Sequence, residues 1–248
     1  MRLVSWNIRA GGGSRVPANL DQIARWSPDL VAICEFRAPP ASRTLAASLR
    51  EMGFVYQLST ANPVHPARNG LLLASRLLLR RLLLRRGPTE PGRWLLASVQ
   101  ARRPFSLGVM HLPNIVTGRK LGFMDAVAEV VGSWRRGPGL LIGDTNCGWP
   151  GLDEKTPVFG PRTAAWLDGL HARGWQDAFR YFYPQERVYT WHSPNAGNGF
   201  RLDQAFVNRS MLPRLRTVRY EWGQPAMDCE TRRDALSDHA ALILEIED

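Results

Sequence analysis

Cysteine is scarce in this chain: three among 248 residues, Cys34, Cys147 and Cys229, odd in number and far apart. No CxxC spacing occurs, which excludes a zinc ribbon and a disulfide framework and points to free thiols in a reducing compartment. Nowhere do about 18 apolar residues run together, and the opening MRLVSWNIRAGGG lacks the apolar segment of a secretory signal. A spanning helix is thereby excluded, and a cytoplasmic protein with no membrane partner is expected. No linker interrupts the chain, so residues 1–248 are expected to form one domain and a monomer. Lysine is nearly missing too, since every basic residue except Lys120 and Lys155 is arginine.

What is present is a globular composition, 44% hydrophobic and 22% charged, with a mean hydropathy of -0.24. The formal net charge is +10. Arginine offers phosphate oxygens a planar fork of donors, so a polyanionic partner is one reading of this charge, and an arginine-rich proteome is the other. Charge bears on affinity and leaves the reaction open.

Apolar periodicity predicts strands at 3–8, 30–34, 54–58, 70–75, 77–84, 94–100, 105–111, 140–142, 188–191, 200–208, 215–220 and 240–246, with helices at 17–25, 42–52, 121–134 and 163–173. Strands follow one another in the middle without helices between them, so that block is expected to pair antiparallel within an α/β fold. The stretch SRLLLRRLLLRR at 75–86 would suit a basic membrane-surface helix. On a helical wheel, however, its arginines surround the axis, and a strand bounded by turns fits better. Gly11 to Gly13 lack the complete pattern of a phosphate cradle.

Five places set a polar or ionisable residue at the end of an apolar run: SWN at 5–7, VAICE at 31–35, LLIGDTN at 140–146, FRLD at 200–203 and SDH at 237–239. Strand ends are where α/β sheets collect site residues. Each has a plainer explanation: Glu35 as a solvated strand end, Asp144 as a turn former, His239 as a structural histidine. Asp203 lies among apolar residues, where a lone carboxylate is costly, so it requires a partner such as histidine or arginine. If the run after His239 is a strand that includes the pair, Asp238 and His239 point to opposite faces.

In this order the blocks SWNIR at 5–9, DLVAICE at 29–35, NGLLLASR at 69–76, HLPN at 111–114, GDTN at 143–146, FRLDQAFVN at 200–208 and SDH at 237–239 resemble the endonuclease/exonuclease/phosphatase superfamily, nearest its exonuclease III and apurinic endonuclease branch. The resemblance implies a four-layer α/β sandwich of the deoxyribonuclease I type, two packed mixed β-sheets flanked by helices. It implies that Glu35 binds a divalent metal, Mg²⁺ or Mn²⁺, with Asn7 and Asp238 beside it. It assigns His239 to the scissile phosphate, Asp203 to orienting that imidazole, Asp144 to activating water, and Asn146 to the phosphate or the nucleophile. The branch carries a tyrosine where His111 stands; a histidine there is more like pancreatic deoxyribonuclease and the sphingomyelinases, as a second phosphate ligand or a leaving-group acid. Residues 163–180 and 188–191 resemble the C-terminal half of exonuclease III. By that likeness Trp191, Phe200 and Leu202 line a pocket for a base-less sugar, with Asn114 also on the substrate side, although core aromatics would read the same.

Three functions follow. The first is a metal-dependent hydrolase of DNA, or RNA, phosphodiesters, working in DNA repair as a 3′ exonuclease, an abasic-site endonuclease or both. The second is a phosphodiesterase or phosphatase for a lipid, inositol or nucleotide phosphoester, which His111 favours. The third is a binding protein without chemistry, which the completeness of the polar set opposes.

Overall fold

A computed structural model describes residues 1–38, 40–90, 92–224 and 235–248, and among the described residues there are fourteen strands and five α-helices. In chain order they are β1 (Arg2–Asn7), α1 (Val16–Trp26), β2 (Leu30–Phe36), α2 (Pro40–Glu51), β3 (Tyr56–Ser59), β4 (Gly70–Ser75), β5 (Leu79–Arg81), β6 (Trp94–Val99) and β7 (Phe105–His111). There follow α3 (Lys120–Gly132), β8 (Gly139–Asp144), α4 (Pro161–Ala172), β9 (Trp175–Asp177), α5 (Ala178–Phe182), β10 (Trp191–His192), β11 (Gly199–Phe200), β12 (Asp203–Asn208), β13 (Leu215–Glu221) and β14 (Ala241–Ile246).

Two six-stranded sheets result, ordered β13-β14-β1-β2-β4-β3 and β5-β6-β7-β8-β12-β9, with β10 and β11 as a separate ribbon. Both are mixed: β1 pairs parallel with β2 and β7 with β8, while their other neighbours are antiparallel. The expected antiparallel middle is present in β3-β4 and β5-β6-β7.

Side-chain alternation sets the layers. Leu3, Leu30, Ala32, Leu107, Val109, Leu140, Ile142, Ala205 and Val207 meet between the sheets in one core cluster. Their sequence neighbours turn outward: Val4, Trp6, Val31 and Ile33 pack on Ile23, Leu45 and Leu49 of α1 and α2. On the other side Leu141 and Phe206 pack on Phe123, Val127, Trp166 and Leu167 of α3 and α4. Both faces of the central strands are therefore buried, which is why they read as unbroken apolar runs rather than alternating ones. Helix, sheet, sheet and helix make the four layers.

Several elements depart from expectation. The strand at 77–84 shrinks to β5, because Leu79 alone enters the core while Arg80 and Arg81 stay exposed. The strand at 188–191 is only the two-residue β10, and 200–208 is split between β11 and β12. The break falls at Arg201, whose guanidinium turns into the interior to meet Asp153 and Asp177. β14 begins at Ala241, so Asp238 and His239 lie ahead of the strand rather than within it. β9 and α5 have no counterpart in the sequence reading, being too short to show a period. Cys34 and Cys147 are free and buried, and Cys229 lies outside the described residues.

Candidate active site

The inward-facing series along four strands each reach one polar residue at the same end of the sandwich. On β7 the series Phe105, Leu107, Val109 continues to His111; on β8 Leu140 and Ile142 continue to Asp144; on β12 Val207 and Ala205 lead back to Asp203. His111 and Asp203 both pair in register with Asp144, so three adjacent strands set three ionisable groups in one row. From the facing sheet, Leu3 and Ser5 of β1 lead to Asn7.

Asp144 is the centre of the cluster. Its Oδ2 accepts from Asn7 Nδ2 across the two sheets at 3.0 Å, and lies 3.5 Å from His111 Nε2 and 4.0 Å from His239 Nε2. Its Oδ1 accepts from the Asn146 backbone N–H at 2.9 Å. Gly143 permits this approach: its φ is +144°, and a Cβ there would stand 1.9 Å from the Met110 carbonyl oxygen. Burial pushes the Asp144 carboxyl pKa above its usual range, although both imidazoles pull it down.

The other sheet-to-sheet bond joins His239 Nδ1 to Asp203 Oδ2 at 2.9 Å. His239 is fixed further by its backbone: its N–H donates to Ser237 Oγ at 3.1 Å, and its carbonyl accepts from Trp6 Nε1 at 3.0 Å. Burial opposes charge on this imidazole, yet Asp203, helped by Asp144 and Asp238, raises its pKa to about 10. His111 takes the opposite course. Burial, with help from Arg93, lowers its pKa to about 4 despite Asp144, and its Nδ1 has no hydrogen-bond partner among the described residues. One site thus holds a cationic and a neutral histidine, both directed at one carboxylate oxygen.

Glu35 is the extra residue of a β-bulge between Cys34 and Phe36, with φ +59°. Bulges re-aim side chains, and here the carboxylate turns toward the loop after β1, where Oε2 accepts from the Ala10 N–H at 2.6 Å. Asp238 Oδ2 accepts from Trp191 Nε1 at 3.3 Å. The Arg15 guanidinium lies within electrostatic reach of both carboxylates. Asn7 Oδ1 accepts from the Arg9 N–H at 3.0 Å. Among the described residues no three His, Cys, Asp or Glu form a ready-made metal cage. The donor set of two carboxylates and an amide, all oxygen, nevertheless suits Mg²⁺ or Mn²⁺, which are held by one or two carboxylates together with water and substrate phosphate.

Beside this cluster opens a cavity of about 420 Å³ whose lining includes Asn114, Asn146, Trp191, Phe200 and Leu202. All four residues expected on the substrate side therefore line one hollow. Phe159 belongs to it as well, edge-on to Phe200 with ring centroids 5.4 Å apart. Lys120 also lines it; its buried ammonium donates to the Asn146 carbonyl at 2.5 Å, while Asn146 Nδ2 donates to the Leu112 carbonyl at 2.8 Å. These bonds hold Asn146 at φ +49°. Lys120 escaped the sequence reading, although one of two lysines in an arginine-dominated chain was a usable signal. The buried Arg201 escaped it too. Its guanidinium binds Asp153 and Asp177 and approaches the Tyr220 hydroxyl, which in turn donates to the Asp203 carbonyl at 2.7 Å.

A family model described as Endonuclease/Exonuclease/phosphatase matches residues 4–239. Among solved structures, the 3′-5′ exonuclease NExo from Neisseria meningitidis superposes with a TM-score of 0.80 at 22% identity, covering 100% of both chains. A 3′ phosphatase form of NExo from Neisseria, bound to a product DNA hairpin, gives 0.78 at 21% identity, covering 100% of this chain and 99% of that one. An AP endonuclease from Archaeoglobus fulgidus gives 0.81 at 18% identity over 100% of both chains. No curated protein matches the chain.

Proposed function

Since the chain belongs to the endonuclease/exonuclease/phosphatase family, whose members hydrolyse phosphoesters, we propose that it is a divalent-metal-dependent nuclease that cuts DNA as a 3′ exonuclease, an abasic-site endonuclease or both. The observation that carries this reading is the His239–Asp203 pair, 2.9 Å apart, presenting a cationic imidazole 4.0 Å from the buried Asp144 beside an aromatic-lined cavity. The similar structures named for exonuclease, 3′ phosphatase and AP endonuclease activities, one of them holding DNA, point to the same substrate class.

In this reading His239 donates Nε2–H to a nonbridging oxygen of the scissile phosphate, while Asp203 keeps Nδ1 protonated. The imidazolium then sits where the pentavalent transition state gathers negative charge. Asp144, ionised and oriented by Asn7 and the Asn146 N–H, accepts a proton from water as the water oxygen bonds to phosphorus. The opposite P–O bond breaks in line, and the departing 3′ oxygen takes up a proton from solvent water, leaving a 5′-phosphate and a 3′-hydroxyl. Asn146, with its amide anchored on Leu112, holds the water or the phosphate. His111, neutral and buried, serves as a phosphate ligand rather than the leaving-group acid. Trp191, Phe200, Leu202 and Asn114 receive the sugar or the end nucleotide. Glu35, Asp238 and Asn7 would hold the cation, which when bound neutralises phosphate charge.

Cleavage of labelled duplexes, intact and with an abasic analogue, in Mg²⁺, Mn²⁺ or chelator tests the proposal. Metal-dependent cutting that Asp144→Asn abolishes is expected. If only a small lipid, inositol or nucleotide phosphoester is hydrolysed, the phosphatase reading replaces this one.

A further inference from the structure

The arginine-rich stretch at 76–86 takes no part in the site above. After β5 the chain runs irregularly through Arg85 and Arg86, both exposed. Arg135 and Arg136, in the link between α3 and β8, reach the same surface. A hollow of about 340 Å³ is lined by Leu84, Arg86, Arg135 and Arg136 among others, and a second of about 270 Å³ by Arg81, Leu84, Arg85 and Arg86 among others, so that Leu84 and Arg86 join the two.

Charge here is scarcely balanced. Arg86 has an exposed ion pair with Glu129 at 3.3 Å, Arg81 donates to the Ser59 carbonyl, and Arg135 donates to the carbonyl of its own neighbour Trp134. Arg85 and Arg136 make no side-chain hydrogen bond or ion pair among the described residues. Five guanidinium groups around concave surface repel one another and focus a positive potential, and their planar donor forks match phosphate oxygens. A lipid surface is the weaker match, because of the six leucines at 77–79 and 82–84 Leu79 is buried, Leu77, Leu82 and Leu84 are half-buried, and only Leu78 and Leu83 are exposed.

The position of the patch specifies the ligand further. Arg81 stands level with Ala97, Leu107 and Leu140 across the ladder, four residues along β8 from Asp144. At strand spacing that is about 13 Å along the sheet, and the three strand intervals from β8 to β5 add about 14 Å across it, about 20 Å in all. Duplex rise of about 3.4 Å then makes it roughly six base pairs, beyond the reach of a single nucleotide.

We infer that the two hollows form a second, non-catalytic surface that binds the phosphate backbone of nucleic acid several base pairs from the bond being cut. The inference rests on the nuclease reading for its ligand. The test compares wild type with a quadruple variant, Arg85→Ala, Arg86→Ala, Arg135→Ala and Arg136→Ala, and with the same four positions changed to lysine. Binding of a duplex of about thirty base pairs is measured across salt, since each lost phosphate contact lowers the salt slope by about 0.9. The alanine variant is expected to bind at least about tenfold more weakly with a slope reduced by up to about 3.6. The lysine variant should retain most of the affinity. Cleavage of a trinucleotide, too short to span both sites, should be unchanged, which also reads proper folding.

An unchanged slope and affinity would overturn the inference, as would a lysine variant as weak as the alanine one, or loss of short-oligonucleotide cleavage. Vesicles of phosphatidylserine and phosphatidylcholine that bind wild type but not the alanine variant, with duplex affinity equal in both, would assign the patch to lipid instead. A wild type that cuts no nucleic acid yet shows patch-dependent duplex binding would sink the nuclease reading and leave this surface standing.

Discussion

At the scale of single residues, the two histidines carry opposite consequences. Asp203→Asn keeps the shape of the pair but removes the charge that maintains the His239 imidazolium and its tautomer. A loss of about 10²- to 10⁴-fold in kcat/KM is expected, with substrate binding little changed. Single-turnover cleavage and equilibrium binding of the same duplex will separate the two effects. For His111 the folded pKa of about 4 lies below the ordinary 6.5. Between those values the unfolded chain takes up a proton that the folded chain refuses, so stability falls as pH drops from 6.5 toward 4. The whole effect is at most roughly 3 kcal/mol. Denaturant melts across that window should show a shallower decline for His111→Gln than for wild type; parallel declines would mean that His111 titrates normally.

At the scale of elements, the site depends on how closely β7 and β8 approach. Gly143→Ala would force a methyl group into the Met110 carbonyl at a backbone conformation that favours glycine. A loss of about 3 kcal/mol or more is expected, together with displacement of Asp144. Chemical denaturation checks the first effect, and residual cleavage in folded protein checks the second. Arg201 acts at this scale too. Arg201→Met leaves Asp153 and Asp177 as buried carboxylates without their main cation, a change worth about 3 to 5 kcal/mol that a lowered thermal midpoint will register.

These same elements explain what was legible from sequence. The strands bearing His111 and Asp144 stood out because their inward series are apolar up to the last residue, so the polar terminus marks itself. The pairing of Asp203 with histidine was foreseeable as the need of a carboxylate among apolar neighbours, and the structure supplies His239. The bulge that turns Glu35 leaves no local trace, because it is set by its pairing with β4. Nor does the break at Arg201, which follows from carboxylates 48 and 24 positions away in the chain. Contacts of that separation belong to tertiary structure, and periodicity is blind to them.

At the scale of the whole molecule, the proposed site is divided between the two sheets: Asn7, Glu35, Asp238 and His239 come with one, and His111, Asp144 and Asp203 with the other. Two side-chain hydrogen bonds between these seven residues cross directly from one half to the other, Asn7 to Asp144 and His239 to Asp203, and Tyr220 of β13 adds a further crossing by donating to the Asp203 carbonyl. Chain order adds a temporal dimension to that division. β1 lies between β2 and β14, so an early strand waits for the latest one before its ladder is complete. While such a polypeptide is still emerging from a ribosome, every other proposed participant has already been translated, but the imidazole that would meet the phosphate has not. On the proposed reading, a nascent chain of this design carries an unfinished site, and no phosphoester in the cell is at risk from it, until synthesis has passed His239.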